Sequence, residues 1–376
     1  MAKFRARQYR DGDGEALNDL YKVVTGHQRS IAEFTWQWLD GPDGPGEMWL
    51  IETDGPDGDP LVIGHHGLMP LVFSEGHAVL RAGKTENTMV HPDYRKKLLY
   101  PKFERRFLED YSSRFDLLFS TVGPPAALRQ RRALGYDAAR RWRNIEIGLG
   151  PLAMVPLLAS MGGTTRKQST KRAVATAGLR LGAGVLSALP RFRGPRTGPA
   201  LKVLSDIDAP KSDFFDDFWT EAATDYPVTP RRSRPDLAWR FWSNPNTTTV
   251  TLHTSDPGSV QGYAVINATD PYRFRLDDIV VLPNTAEAMG QLLNSVCDWC
   301  AAQGAHALSF MTTDDPGSPG AQIDTLDLPR LETRWPLTRL LPAEGPPMLR
   351  KATGRSGHAA AVNTWSLTPF ILEGRS

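Results

Sequence analysis

Cysteine is almost missing: Cys297 and Cys300 are the only two in 376 residues. This excludes a small disulfide-stapled scaffold, suits a reducing compartment, and supplies too few thiolates for a four-cysteine zinc site. No apolar run reaches the roughly 18 residues a membrane span needs, so stable membrane insertion is not expected. Met1 to Arg7 has no apolar core of the kind a secretory leader carries, and the expected location is cytoplasmic. Acidic residues are absent from Ile147 to Ser205, where nine basic ones occur. The rest of the chain then carries 35 of the 44 Lys and Arg residues against all 42 Asp and Glu. What is plentiful is glycine and proline, 33 and 30 respectively. Together they are about one residue in six, against roughly 12% in average usage, which predicts many turns and few long helices. At 40% hydrophobic and 23% charged, the chain is long enough for two ordinary domains.

The acid-free stretch is rich in Gly, Ser, Thr and Pro and reads as a connector over 151–202, between domains at 1–150 and 203–376. Within it Val174, Leu181, Val185 and Leu189 fall near helical spacing, so Lys171 to Leu189 is expected to form a short amphipathic helix. Such a helix is either a solvated linker or a docking surface for an anion: a phosphate-bearing substrate, RNA or a lipid head group.

Each side of the connector runs through the same series of signals. Phe34–Trp38, a turn, and the strands Trp49–Glu52 and Leu61–Gly64 are echoed by Leu237–Trp242, a turn, Val250–His253 and Val260–Ala264. A strand stopped by proline follows in both, Thr85–Pro92 and Asp277–Pro283. Next comes a helix, about 101–113 and 285–303, and then the strands Phe115–Thr121 and Ala305–Thr312. The offsets drift between about 190 and 203 residues, as a diverged duplication gives. A strand–helix–strand crossover makes the last strand pair of each half parallel.

Three segments of the first half carry a family resemblance. Phe4 to Asp11 leads into a helix from Glu15 to Thr25. Val90-His91-Pro92-Asp93-Tyr94-Arg95-Lys96-Lys97-Leu98-Leu99-Tyr100 has the form of a strand ending in proline and an acid, then a loop that opens a helix. Gly123-Pro124-Pro125, a helix from Ala126 to Leu134 and Gly135-Tyr136 close the series. These resemble the GNAT superfamily of N-acetyltransferases, and the second half is similar by element order alone. The resemblance implies an α/β (α+β) protein of two GNAT-like domains, the second degenerate, each a mixed and mostly antiparallel sheet flanked by helices.

The resemblance further implies acetyl-CoA or another acyl-CoA as donor substrate and no metal. Its pantetheine arm would pair with Thr88, Met89 and Val90, and its diphosphate would rest on the loop amides of Arg95, Lys96, Lys97, Leu98, Leu99 and Tyr100. A helix N-terminus offers unpaired N–H groups and partial positive charge to such an anion. Leu98 and Tyr100 stand where the family's loop has glycines that let the backbone meet a phosphate. Either this loop has lost its nucleotide or the donor sits differently.

Acyl transfer to an amine needs a base, and Glu86 lies on the strand leading into the loop, with Asn87 and His91 as polar neighbours. Strand alternation puts Glu86, Thr88 and Val90 on one face and Asn87, Met89 and His91 on the other, so Glu86 and His91 meet only if a bulge intervenes. The other readings are a strand-end ion pair for Glu86 and a turn cap for His91. Arg131 occupies the position at which many relatives carry a proton-donating tyrosine; a guanidinium stabilises negative charge but donates no proton near neutral pH. His65 and His66, adjacent on a strand, face opposite sides and make poor joint metal ligands. Asp277 and Asp278 read as a solvated sheet edge or an amine site, Trp36, Trp38, Trp239 and Trp242 as core or inter-domain packing, and Cys297 and Cys300 as buried helix thiols. The leading expectation is an acyl-CoA-dependent N-acyltransferase. An aminoacyl-tRNA-dependent transferase on the same fold and a non-catalytic binding module are the alternatives. Candidate partners are a small-molecule or aminoacyl acceptor, tRNA, and a second copy in a homodimer.

Overall fold

The computed structural model describes residues 4–97, 99–111, 114–121, 125–149, 198–255, 260–268, 270–313, 315–325, 344–352 and 365–368. Leu98 and the amphipathic helix expected at Lys171–Leu189 lie outside the described residues, as do the side chains of Lys97 and Tyr100.

The first half opens with strand β1 (Arg5–Gln8) and helices α1 (Gly14–Thr25) and α2 (Ile31–Trp38). A reciprocal capping box starts α2: the Ser30 hydroxyl accepts from the Glu33 amide, and the Glu33 carboxylate accepts from the Ser30 amide. Strands β2 (Glu47–Asp54), β3 (Pro60–Glu75) and β4 (Ala78–Val90) form an antiparallel meander. A 3₁₀ turn (Pro92–Lys97) leads into α3 (Leu99–Tyr111), then β5 (Leu117–Thr121), α4 (Pro125–Ala133) and β6 (Asp137–Gly148).

The second half repeats the order. It comprises β7 (Leu201–Ser205), α5 (Phe214–Ala222), the two-residue β8 (Thr229–Pro230), α6 (Arg234–Leu237) with a π-turn at Ala238–Trp242, β9 (Thr249–Thr254), β10 (Gln261–Asn267) and β11 (Arg273–Leu282). After these come α7 (Ala286–Ala302), β12 (Ala307–Thr312), α8 (Pro319–Thr325) and β13 (Glu344–Ala352). As expected, one strand pair in each half is parallel, β4 with β5 and β11 with β12. None of the described helices is long and apolar enough to cross a membrane.

The two mixed sheets join into one, in the order β1-β2-β3-β4-β5-β13-β6-β12-β11-β10-β9-β7. The junction exchanges strands. β13, from the far end of the chain, lies antiparallel between β5 and β6, and β6 in turn lies antiparallel against β12.

Four apolar clusters hold the halves. Helix α3 packs Phe107 and Leu108 on Trp49, Leu68 and Leu118; α1 and α2 pack Leu17, Phe34 and Trp38 on Met48, Leu50 and Met89. Gly67 has to be glycine, because a Cβ there would lie 2.0 Å from the Trp38 ring. A third cluster runs between the halves and contains Trp36, Phe73, Trp142, Trp219, Trp239 and Trp365. The tryptophan packing expected from sequence is thus present: the Trp36 and Trp239 rings stack with centroids 5.9 Å apart. Cys297 and Cys300 are buried in the fourth cluster, on α7.

Candidate functional site between β4 and β5

The site is created where two strands stop pairing. β4 and β5 are matched at Ala82–Leu117, Gly83–Leu118 and Lys84–Phe119. Among the described residues β5 makes no backbone pairing with β4 beyond Lys84, where only the Thr85 hydroxyl reaches across to Phe119 O at 3.3 Å, although β4 continues to Val90. Strand β3 backs this free stretch on its other side, and the His91 amide donates to Ile63 O at 2.8 Å.

A bulge shapes the free stretch. The β3–β4 register steps between His65 and Gly67, so Asn87 and Thr88 together oppose His66. Asn87 takes a φ of 45°, a left-handed conformation that asparagine tolerates better than most residues. The extra residue resets the alternation expected from sequence. Thr85 and Thr88 now serve the same partner, Arg131, whose guanidinium donates to both hydroxyls, to Thr88 Oγ1 at 3.1 Å.

Lys84 and Glu86 pair with each other, Lys84 being 1% exposed and Glu86 11%. The alternative reading of Glu86 as a strand-end ion pair at the surface is therefore corrected: Lys84 is buried and Glu86 only slightly exposed. His91 stays at the turn, away from this pair. Its Nδ1 accepts from the Asp93 amide at 3.3 Å and its ring stands edge-on to Tyr94. Met89 is buried against the α1–α2 cluster. Arg95 and Lys96 are exposed on the 3₁₀ turn, with Arg95 Nε donating to Val90 O at 3.2 Å, and Leu99 opens α3.

Sequence reasoning gave no role in this cluster to four of its members, namely His66, Thr85, Glu104 and Tyr136. Glu104 is wholly buried on α3 and its Oε1 lies 3.8 Å from Arg131 Nη1. It did leave a signal, since it stands three and four residues before Phe107 and Leu108, on the apolar stripe of an amphipathic helix. Tyr136 lies beneath Arg131, whose Cζ is 5.5 Å from the ring centroid, and burial pushes the phenol well above its ordinary range.

His66 stacks on Phe107 with centroids 4.8 Å apart, and its Nδ1 is 3.1 Å from Thr88 Oγ1. Burial, then the charge of Arg131, holds its imidazole far below the usual range and so neutral. His65 faces the other way. It bonds Asn87 O through Nδ1 at 2.8 Å, stands edge-on to Trp38, and is pushed by burial down to about 4. The two imidazoles share no site. Among the described residues no three His, Cys, Asp or Glu side chains gather as metal ligands.

The corresponding gap in the second half is filled by the protein itself. β11 and β12 are matched from Arg273–Ala307 to Arg275–Ser309. Farther along β11, the Val281 amide donates to the Tyr226 hydroxyl at 2.8 Å, which donates to Val281 O at 3.0 Å. Asp277 and Asp278 are not the solvated edge that paired acids suggested. β11 lies between β10 and β12, and both carboxylates are buried. Asp277 pairs with Arg275, while Asp278 accepts from Arg232, Tyr263 and Thr368.

No protein-family model matches the sequence, and no curated protein matches it. Solved structures do resemble it. A conserved protein of Enterococcus faecalis V583, described as a probable N-acyltransferase, superposes with a TM-score of 0.60 at 12% identity, over 94% of this chain and 73% of that one. A GCN5-related N-acetyltransferase from Kribbella flavida gives 0.56 at 12% identity, over 93% and 71%. A GCN5-related N-acetyltransferase from Anabaena variabilis ATCC 29413 gives 0.56 at 13%, over 94% and 73%. At 12–13% identity the likeness is one of fold: the chain has the fold of the GCN5-related N-acetyltransferases.

Proposed function

We propose that the chain is an N-acyltransferase that takes an acyl group from an acyl-CoA donor substrate and delivers it to an amine at the opening between β4 and β5. The observation that carries this reading is the stretch from Thr85 to Val90, which β5 leaves unpaired just before a turn into a helix N-terminus. An amide-bearing arm of the donor would add to that edge along Thr88, Met89 and Val90. Arg95 would yield Val90 O, since its side chain is exposed and long. The first turn of α3 and the basic side chains of Arg95 and Lys96 suit a diphosphate.

Glu86 is the base in this reading. It takes the proton lost by the attacking amine, directly or through one water, with the Lys84 ammonium paired beside it.

Isothermal titration with acetyl-CoA tests the proposal, together with the melting temperature at rising concentration. One molecule bound per chain is the expected result. At a hundredfold excess over the dissociation constant, binding to the folded state adds about 2.7 kcal/mol of stability. No heat and no thermal shift with any acyl-CoA would falsify the reading.

A further inference from the structure

Transfer from a thioester poses two charge problems, and Glu86 meets one of them. The other is the sulfur. When the carbon–sulfur bond breaks, its electron pair stays on sulfur, and the thiolate needs a proton or a cation beside it. Beside Arg131, Tyr136 and His66 are described side chains with the chemistry to donate a proton, while the Lys84 ammonium is held by Glu86. Tyr136 is 2% exposed, and its burial holds the phenol protonated with too high a proton affinity for an efficient acid. His66 is kept neutral by burial and by the Arg131 charge, so it has no acidic proton to give.

The permanent cation is already in place. Arg131 projects from the last turn of α4 and spans Thr85 and Thr88, which the bulge at Asn87 has brought to one side of β4. The buried Glu104 carboxylate approaches from α3 at 3.8 Å. That distance is too long for a hydrogen bond, so the ion pair steadies the guanidinium without saturating it. Arginine has five N–H groups. The two threonines and the Tyr136 hydroxyl face three and Glu104 a fourth, leaving one donor for a sulfur.

We infer that Arg131 stabilises the departing thiolate as a fixed positive charge, with Glu104, Thr85 and Thr88 as its positioning residues. The inference rests on the acyltransferase reading above. In the step, the amine nitrogen adds to the acyl carbon and its proton passes to Glu86. The carbon–sulfur bond then breaks with its electron pair on sulfur, the CoA thiolate leaves paired with Arg131, and it takes its proton from solvent. No proton donor on the protein is consumed.

The test uses the full chain with acetyl-CoA and hydroxylamine as the nucleophile, following loss of the thioester absorbance across neutral and alkaline pH. Wild type is expected to show kcat without an alkaline limb of its own. Arg131→Met should lower kcat by roughly 10² to 10³-fold while retaining acetyl-CoA binding by calorimetry. Arg131→Lys should recover part of kcat and introduce an alkaline limb at or below about pH 10.4, as its ammonium is lost. A merely structural arginine gives no such limb. Because Arg131→Met removes the cation beside the Glu104 carboxylate, the double variant Glu104→Gln/Arg131→Met serves as the folded control and should show the same kcat loss. Wild-type turnover in either methionine variant, or an alkaline limb in wild type that Arg131→Lys leaves unmoved, overturns the inference. Absence of acetyl-CoA binding to wild type overturns the acyltransferase reading and this inference with it.

Discussion

Trp36 and Trp239 clasp each other across the two halves: each indole N–H donates to the other's backbone carbonyl, at 2.6 and 2.8 Å. The pair is 203 positions apart and related as a twofold contact would be, within a single chain. Trp36→Phe keeps an aromatic ring and removes the donor, leaving the buried Trp239 carbonyl without that bond. Urea unfolding should show a loss of about 1–3 kcal/mol for either Trp36→Phe or Trp239→Phe. The double variant should lose less than the sum. Strict additivity would mean that the two bonds do not act as a unit.

Glu86→Gln should lower kcat with acetyl-CoA while leaving its binding constant in place, because the base acts on the amine and not on the donor's anchoring. The change also leaves Lys84 buried beside a neutral amide, so urea stability is to be measured alongside. Unchanged kcat in a folded variant removes Glu86 from the chemistry.

Lys96→Glu reverses an exposed charge at the turn into α3. Acetyl-CoA affinity should fall most at low salt and recover in part as ionic strength shortens the Debye length to about 8 Å at 0.15 M. A loss independent of salt would point to a structural effect on the turn instead.

Acid should weaken the fold through its buried imidazoles. His65 is pushed down from 6.5 to about 4 by burial, and His66 shifts in the same direction. The unfolded chain therefore binds protons that the folded chain refuses. Stability is fully present above pH 6.5 and declines as pH falls towards 4. For His65 alone the difference is worth about 3 kcal/mol. Urea midpoints measured at neutral pH and near pH 5 should fall with acidity in wild type, and less steeply in His65→Asn. Equal slopes would show that His65 does not carry the linkage.

Much of this architecture is legible in the residues. The repeated order of strands, the parallel pair closing each half and the stop at Pro92 and Pro283 all follow from local patterning. What the pattern cannot carry is a break in its own period. One extra residue at Asn87 turns Thr88 towards Arg131, and alternation counted from Glu86 then assigns the wrong neighbours. Asp277 and Asp278 misled for a related reason. Paired acids look solvated until the fold supplies Arg275 to one and Arg232 to the other. Strand β13 hides best of all, because Pro346 and Pro347 lack the amide hydrogens a ladder uses. The β13–β6 register indeed steps between Glu344 and Pro347.

The placement of β13 has a bearing on how the protein is made. Its position between β5 and β6 cannot be filled until residue 344 has left the ribosome, almost 200 residues after β6. At ordinary elongation rates of about 5–20 residues per second that is a wait of roughly 10–40 s. Throughout it the margins of β5 and β6 that face β13 stay bare, which invites either a chaperone or the wrong neighbour.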